Sequence, residues 1–148
     1  FPQLKEKIYS RKREIFTQID KSYVEPNARS ILSKLKRKGY KLALATGNNR
    51  EVASRFIEAN FKNLFDIVVT GDEVKKGKPH PEIYLKTVRK LNLKPAECVV
   101  VENAPLGITS AKKAGLFVIA ITSTLARRYL TKADKIITSL EKFNLVMR

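Results

Sequence analysis

A doubly wound α/β fold, with a parallel sheet covered by helices on both faces, is predicted by three observations. First, short runs of apolar and β-branched residues alternate along the chain with longer amphipathic segments, from Leu42-Ala43-Leu44-Ala45 to Phe117-Val118-Ile119-Ala120-Ile121. Second, Val99-Val100-Val101 and the 117–121 run are apolar at successive positions, the pattern of parallel strands buried beneath helices on each side. Third, two of the runs end in polar groups followed by helix-opening residues, Thr46-Gly47-Asn48 and Glu102-Asn103-Ala104-Pro105. Open α/β sheets bind ligands at the carboxyl ends of their strands, so such groups can share one site.

Residues 1 to about 20 place Leu4, Ile8, Ile15 and Ile19 at helix-like spacing among many charges and predict one amphipathic helix. Tyr23-Val24-Glu25-Pro26 follows as a hinge, with Pro26 suited to the first turn of the next helix. That helix, 27–38, sets Ile31, Leu32 and Leu35 on one face and stops at Gly39, a residue suited to the position just past a helix end. Then come strand 41–46, helix 49–60, strand 66–69, helix 81–92, strand 98–102, helix 105–114 and strand 117–121. Weaker elements are predicted near 125–131 and 135–138, with a last turn around 139–145. Together they form a Rossmann-like, three-layer α/β/α domain without internal repeats.

The chain has 148 residues, 43% of them hydrophobic, enough for one domain with a substantial core. No apolar run approaches the length that spans a bilayer, and the basic N-terminal stretch lacks a signal-peptide core, so no membrane partner is expected. The single cysteine, Cys98, opens an apolar strand and is read as a small core hydrophobe in a reducing, cytoplasmic compartment. The anomaly is charge: 30 basic against 14 acidic residues give +16, which invites a polyanion through counterion release. Yet basic residues are spread over the whole chain, as at Lys34, Lys36, Arg37 and Lys38 or Lys86, Arg89 and Lys90, with no aromatic residues interleaved in a basic stretch. This reads as lysine coating of helix faces, and no specific nucleic-acid partner is expected.

The chemistry sits at three α/β boundaries. Thr46 ends a strand just before a helix, so its hydroxyl and the amides of Gly47 and Asn48 can meet an anion at a helix N-terminus; a plain helix-capping turn is the alternative. Lys78 lies in Gly77-Lys78-Pro79-His80-Pro81, a loop stiffened by two prolines, where a held ammonium can offset phosphoryl charge. Its neighbours Lys75 and Lys76 read as solvated, and His80, the only histidine, as a surface or substrate-side residue. Glu102 and Asn103 offer hard oxygen ligands suited to Mg2+, which takes few protein ligands alongside water and substrate phosphate; a strand-end acid before a turn is the alternative. Asp72 and Glu73 read as a loop near the site.

In these segments the sequence resembles the haloacid dehalogenase-like phosphatases and phosphotransferases, in particular their phosphoglucomutase and phosphoglycolate phosphatase branch. Leu42-Ala43-Leu44-Ala45-Thr46-Gly47-Asn48 matches the second motif of that family, Lys78-Pro79-His80-Pro81-Glu82-Ile83-Tyr84 the third, and Glu102-Asn103-Ala104-Pro105-Leu106-Gly107 the fourth, with Ala114-Gly115 closing the helix after it. The resemblance implies a Mg2+-dependent phosphatase acting on a small phosphorylated metabolite. Thr46, Gly47, Asn48 and Lys78 would bind the phosphoryl group, with Thr46 and Lys78 serving catalysis, and Glu102 and Asn103 would hold the metal. The family often carries Asp where this chain has Asn103. The first motif of the family, an Asp-x-Asp that supplies the nucleophile, has no counterpart here, since Asp20, Asp66, Asp72 and Asp134 all stand alone. With Phe1 at the start and Met147 the only methionine, the chain is expected to be a fragment. Residues 1–22 would be the remnant of a helical cap with its hinge, residues 23–148 the α/β core, and the absent first strand would lie between strands 41–46 and 98–102. A phosphomutase, or a non-catalytic relative used for binding or assembly, are the rival expectations.

Overall fold

A computed structural model describes residues 24–143, together with residues 3, 4, 6–8, 10 and 11. Those few N-terminal residues are helical and exposed; the rest of the predicted 1–20 helix, with Ile15 and Ile19, lies outside the described residues, as does the end of the last predicted turn. The elements run α1 (Ala28–Arg37), β1 (Ala43–Ala45), α2 (Arg50–Asn60), β2 (Ile67–Val69), α3 (Glu82–Leu91), β3 (Val99–Glu102), α4 (Pro105–Lys113), β4 (Phe117–Ile121) and β5 (Lys135–Ile137). Among the described residues, no helix is long and apolar enough to cross a membrane.

Local chemistry sets the helix ends. Asn27 takes the left-handed conformation, φ 61°, so α1 starts at Ala28 and Pro26 stays outside it. Asn is one of the few side chains that tolerate this backbone, and its Nδ2 donates to Glu141 Oε1 at 2.6 Å. Gly39, at φ +85°, closes α1 as Tyr40 N donates back to Leu35 O, and Gly115, at φ +76°, closes α4 as Leu116 N donates to Ala111 O. The predicted 125–131 element is only a short 3₁₀ turn at Arg127–Tyr129, anchored by the fully buried Leu130 that follows.

Among the described residues all strand pairs are parallel, and they form two sheets: β1 with β2, Ala43 opposite Ile67, and β3-β4-β5, Val99 opposite Phe117 and Ile119 opposite Lys135. In β4, the central strand of the larger sheet, Val118 and Ala120 enter a core with Ile83 and Val88 of α3 and Ile108 of α4. Ile119 and Ile121 enter the opposite core with Ile137 and Phe143, against Leu35 of α1. Alternate residues therefore feed two helical layers, as doubly wound folds require. The edge strand β3 departs from its predicted burial, with Val99 at 36% and Val101 at 41% exposure. Val99 and Val101 are alternate residues on one face, shared by the paired Phe117 at 40% exposure, and both valines line a cleft of about 490 Å³ between β1 and β3 together with Leu44, Ala45 and Tyr84.

One carboxylate ties the smaller sheet to its helices. Glu73 pairs with Arg50, accepts from Lys90 Nζ at 2.7 Å and accepts from Thr70 N at 3.1 Å. The Lys90 hydrogen bond leads the interactions that hold its carboxyl at about 2, against an ordinary 4.5. A depressed carboxyl stabilises the fold above its unfolded value, and that contribution is lost as pH falls from about 4.5 through about 2. Glu73→Gln is therefore expected to lower stability by roughly 1–2 kcal/mol at pH 7 and much less at pH 2, discounting for partial solvent screening. Denaturant titrations at the two pH values measure the difference.

Candidate active site at the strand ends

The end of β1 is shaped by its neighbours. Thr46 N donates to Val69 O at 3.0 Å, extending the ladder, and Asn49 caps α2 by accepting from Val52 N at 3.0 Å. Asn48 N donates to the Thr46 hydroxyl oxygen at 3.2 Å, so that hydroxyl is held over the turn. The 70–73 turn presses on this loop: Gly71 N donates to Asn48 O at 2.8 Å, and a Cβ on Gly71 would stand 2.3 Å from Gly47 O. No side chain fits at that distance from backbone, so Gly71 fixes how Thr46-Gly47-Asn48 is presented. Asp72 Oδ2 accepts from Arg50 N at 3.1 Å, placing the 72–73 pair beside the loop.

The lysine loop is clamped from the start of α3. Glu82 Oε1 accepts from Lys75 N at 2.8 Å and its Oε2 from Lys76 N at 2.9 Å, while the Lys78–Pro79 peptide is cis. Buried Ser110 donates to His80 O at 2.6 Å. His80 itself turns back on α3, where its Nδ1 accepts from Glu82 N at 3.3 Å. Lys78 instead points inward: its Nζ donates to Glu102 Oε1 at 2.6 Å and lies 3.4 Å from Ala45 O, the carbonyl just before Thr46. One ammonium thus joins the ends of β1 and β3.

Glu102 is enclosed by donors. Its Oε1 accepts from Lys78 and from Tyr84 Oη at 2.9 Å, and its Oε2 accepts from Asn103 N at 2.9 Å and Ala104 N at 3.0 Å. Burial pushes its carboxyl up, but the charge and hydrogen bond of Lys78, with the other donors, outweigh it and hold the group below the usual carboxylate range. Burial first, then the Glu102 charge, pushes the Tyr84 phenol well above its ordinary value, so it remains a donor. Asn103 Nδ2 donates to Thr124 Oγ1 at 3.2 Å, which leaves the amide oxygen as its metal-capable atom. Cys98 lies at the margin of the core with its thiol pushed up by burial, as expected of a packing residue. Asp66 accepts from Leu42 N, and Asp134 from Val118 N, so both serve as backbone ties away from this cluster; Asp20 lies outside the described residues.

The site residues named from sequence stand at the same edge, with Lys78 and Glu102 in contact, Thr46 one residue beyond Ala45 and Asn103 one beyond Glu102. Tyr84, Glu82, Gly71, Gly107 and Thr124 were given no role by sequence reasoning. Tyr84, Glu82 and Gly107 did lie inside the quoted motifs, and Gly107 now has a reason: a Cβ there would meet Glu102 Oε1 at 2.0 Å. Among the described residues, no group of three or more His, Cys, Asp or Glu could hold a metal by itself. The Asn103 and Glu102 oxygens are hard donors of the kind Mg2+ takes, few in number and completed by water and phosphate.

A family model described as haloacid dehalogenase-like hydrolase matches residues 1–121. The chain is 39% identical over 113 residues to a phosphorylated carbohydrates phosphatase of Thermotoga maritima, covering 76% of this chain and 51% of that protein. It is 37% identical over 117 residues to hexitol phosphatase A of Escherichia coli, covering 79% and 54%. The chain thus spans about half the length of these curated relatives. Among solved structures, it superposes with TM-score 0.84 and 35% identity on a protein of Bacteroides vulgatus regarded as a β-phosphoglucomutase, covering 96% of this chain and 59% of that one. It superposes with TM-score 0.74 and 27% identity on CbbY from Rhodobacter sphaeroides, solved with phosphate, covering 80% and 55%.

Proposed function

This chain belongs to the haloacid dehalogenase-like hydrolase family, and we propose that it is the core of a Mg2+-dependent phosphatase of small phosphorylated metabolites. The observation that carries the reading is the Lys78 ammonium, set between Ala45 O and Glu102 Oε1 so that the ends of β1 and β3 converge on one point. A phosphoryl group there would meet the Thr46 hydroxyl and the Gly47 amide from one side and Lys78 from the other, with the Asn48 amide, which donates to the Thr46 hydroxyl oxygen, holding that hydroxyl in place. These contacts add hydrogen bonds and one positive charge where the transferring oxygens gather charge.

Among these residues the Asn103 amide oxygen would hold Mg2+, and Glu102 would do so on exchanging one of the hydrogen bonds its oxygens accept; the ion would supply charge neutralisation for the phosphate. An aspartate from outside these 148 residues would attack phosphorus as the P–O bond to the substrate alcohol breaks, the carboxylic acid two residues on giving its proton to the leaving alkoxide. The same carboxylate would then take a proton from a water that attacks the aspartyl-phosphate, releasing inorganic phosphate and the free aspartate. The strand carrying that aspartate would lie in the cleft between β1 and β3, which Leu44, Ala45, Val99 and Val101 line. Relatives named as phosphatases of phosphorylated carbohydrates and of hexitol support a carbohydrate-like substrate, and a cytoplasmic location is part of the same proposal. The likeness to a protein regarded as a β-phosphoglucomutase favours one second reading, a phosphomutase built on the same residues.

The test is hydrolysis of p-nitrophenyl phosphate and a panel of sugar phosphates by the full-length polypeptide. Turnover that requires Mg2+ and vanishes with a chelator is expected. Metal-independent turnover, or none across the panel, would sink the reading, whereas interconversion of sugar phosphate isomers without phosphate release would select the mutase.

A further inference from the structure

We propose that Tyr84 is a positioning residue that locks Lys78 and Glu102 into one unit through two separate contacts. Its hydroxyl donates to Glu102 Oε1 at 2.9 Å, the oxygen that also receives Lys78. Its ring lies under the Lys78 Nζ, 5.0 Å from centroid to nitrogen, within reach of a cation–π contact. The geometry alone supports this pairing; only the consequence for turnover rests on the phosphatase reading.

A lysine ammonium on a flexible four-carbon stem with rotatable donors does not by itself keep one orientation, and a single salt-bridge oxygen does not impose one. Here the carboxylate is fixed first. Backbone amides of Asn103 and Ala104 hold Oε2, and the Tyr84 hydroxyl fixes Oε1, so the acceptor of Lys78 cannot swing. The ring then bounds the ammonium on a second side. Tyr84 is rigid because it is 5% exposed and packed in the core with Val69, Val88 and Ile108. It also stands two residues after Glu82, whose carboxylate clamps the amides of Lys75 and Lys76, so α3 carries both the lysine loop and the group that aims its ammonium. Plain core packing explains the burial of the ring but not a hydroxyl directed at Glu102.

The experiment uses the full-length polypeptide with Tyr84→Phe, which keeps the ring, and Tyr84→Leu, which keeps neither contact. Two readouts are taken: steady-state kinetics on p-nitrophenyl phosphate with Mg2+, and the rate of reductive methylation of Lys78 followed by peptide mass spectrometry. Tyr84→Phe is expected to lower kcat about tenfold with KM within about twofold, the scale of one hydrogen bond to a charged group, and Tyr84→Leu about a hundredfold. Lys78 should methylate several-fold faster in Tyr84→Phe than in the unaltered protein. If the unaltered protein hydrolyses nothing while Lys78 still gains reactivity in Tyr84→Phe, the phosphatase reading fails and the positioning role stands. Unchanged Lys78 reactivity in Tyr84→Phe overturns the positioning role whatever the activity, and remains decisive if Tyr84→Leu does not fold.

Discussion

Replacing Lys78 with alanine is expected to lower the kcat of the proposed phosphatase activity in the full-length polypeptide by two orders of magnitude or more, the scale of losing one preorganised electrostatic contact to a transferring group. The ammonium is aimed before substrate arrives, its side chain 19% exposed against a Glu102 side chain 10% exposed, so little reorganisation is left for the reaction step. The same change removes the cation facing a buried carboxylate. Unpairing a buried ion commonly costs several kcal/mol, but Tyr84 and two backbone amides still hold Glu102, so the stability loss here is expected at roughly 1–2 kcal/mol. Lys75→Ala and Lys76→Ala, whose backbone amides rather than side chains hold the loop, should stay within about twofold in kcat, as expected of solvated surface charges. Kinetics under saturating Mg2+ with parallel denaturant melts separate the two effects. A Lys78→Ala protein that is as active as its parent would remove the assigned electrostatic role.

The sheet, the helices and the meeting of Thr46, Lys78 and Glu102 at one edge were legible because period and punctuation carry that information locally. Apolar runs mark the strands, and a polar residue closing each run marks the sheet edge. Other features depend on groups distant in sequence. The missing first motif predicts the absence of a strand beside 98–102 but not the exposure of Val99 and Val101, since an apolar run does not show which of its faces another element covers. The carboxylate of Glu102 reads as a metal ligand from its type alone. Its enclosure by Lys78 and Tyr84 appears only when α3 is laid against β3. Gly71 reads as an ordinary turn residue until the Thr46 loop is seen against it. Residues that build a site by leaving room, or by holding another group still, have no chemical signature of their own, and for this reason sequence reasoning passed over Tyr84, Gly71 and Gly107.

Gly107→Ala is the second change with a large expected effect, and general helix chemistry predicts the opposite sign from this structure. Gly107 lies inside α4, where Ala is ordinarily favoured over Gly by roughly 0.5–1 kcal/mol. A Cβ at this position, however, would stand 2.0 Å from Glu102 Oε1 and 2.1 Å from its Cδ, closer than any van der Waals contact allows. The helix backbone cannot retreat easily, because Ile108 and Ala111 beside it are fully buried. Glu102 must therefore swing out, giving up its bonds to Tyr84 and to the Asn103 and Ala104 amides and leaving Lys78 without its partner. Each hydrogen bond to a charged group is worth about 1.5–3 kcal/mol, so losing even two outweighs the propensity gain, and a net destabilisation of roughly 1–3 kcal/mol is expected after water re-satisfies part of the carboxylate. With the ammonium released, kcat should fall about a hundredfold, close to the Lys78→Ala level. Combining Gly107→Ala with Lys78→Ala should then cost little more than either alone, because both break the same unit. Thermal and denaturant melts with kinetics on the single and double variants check this. A Gly107→Ala protein that is more stable than its parent and fully active would show that the Glu102 carboxylate does not rest against α4.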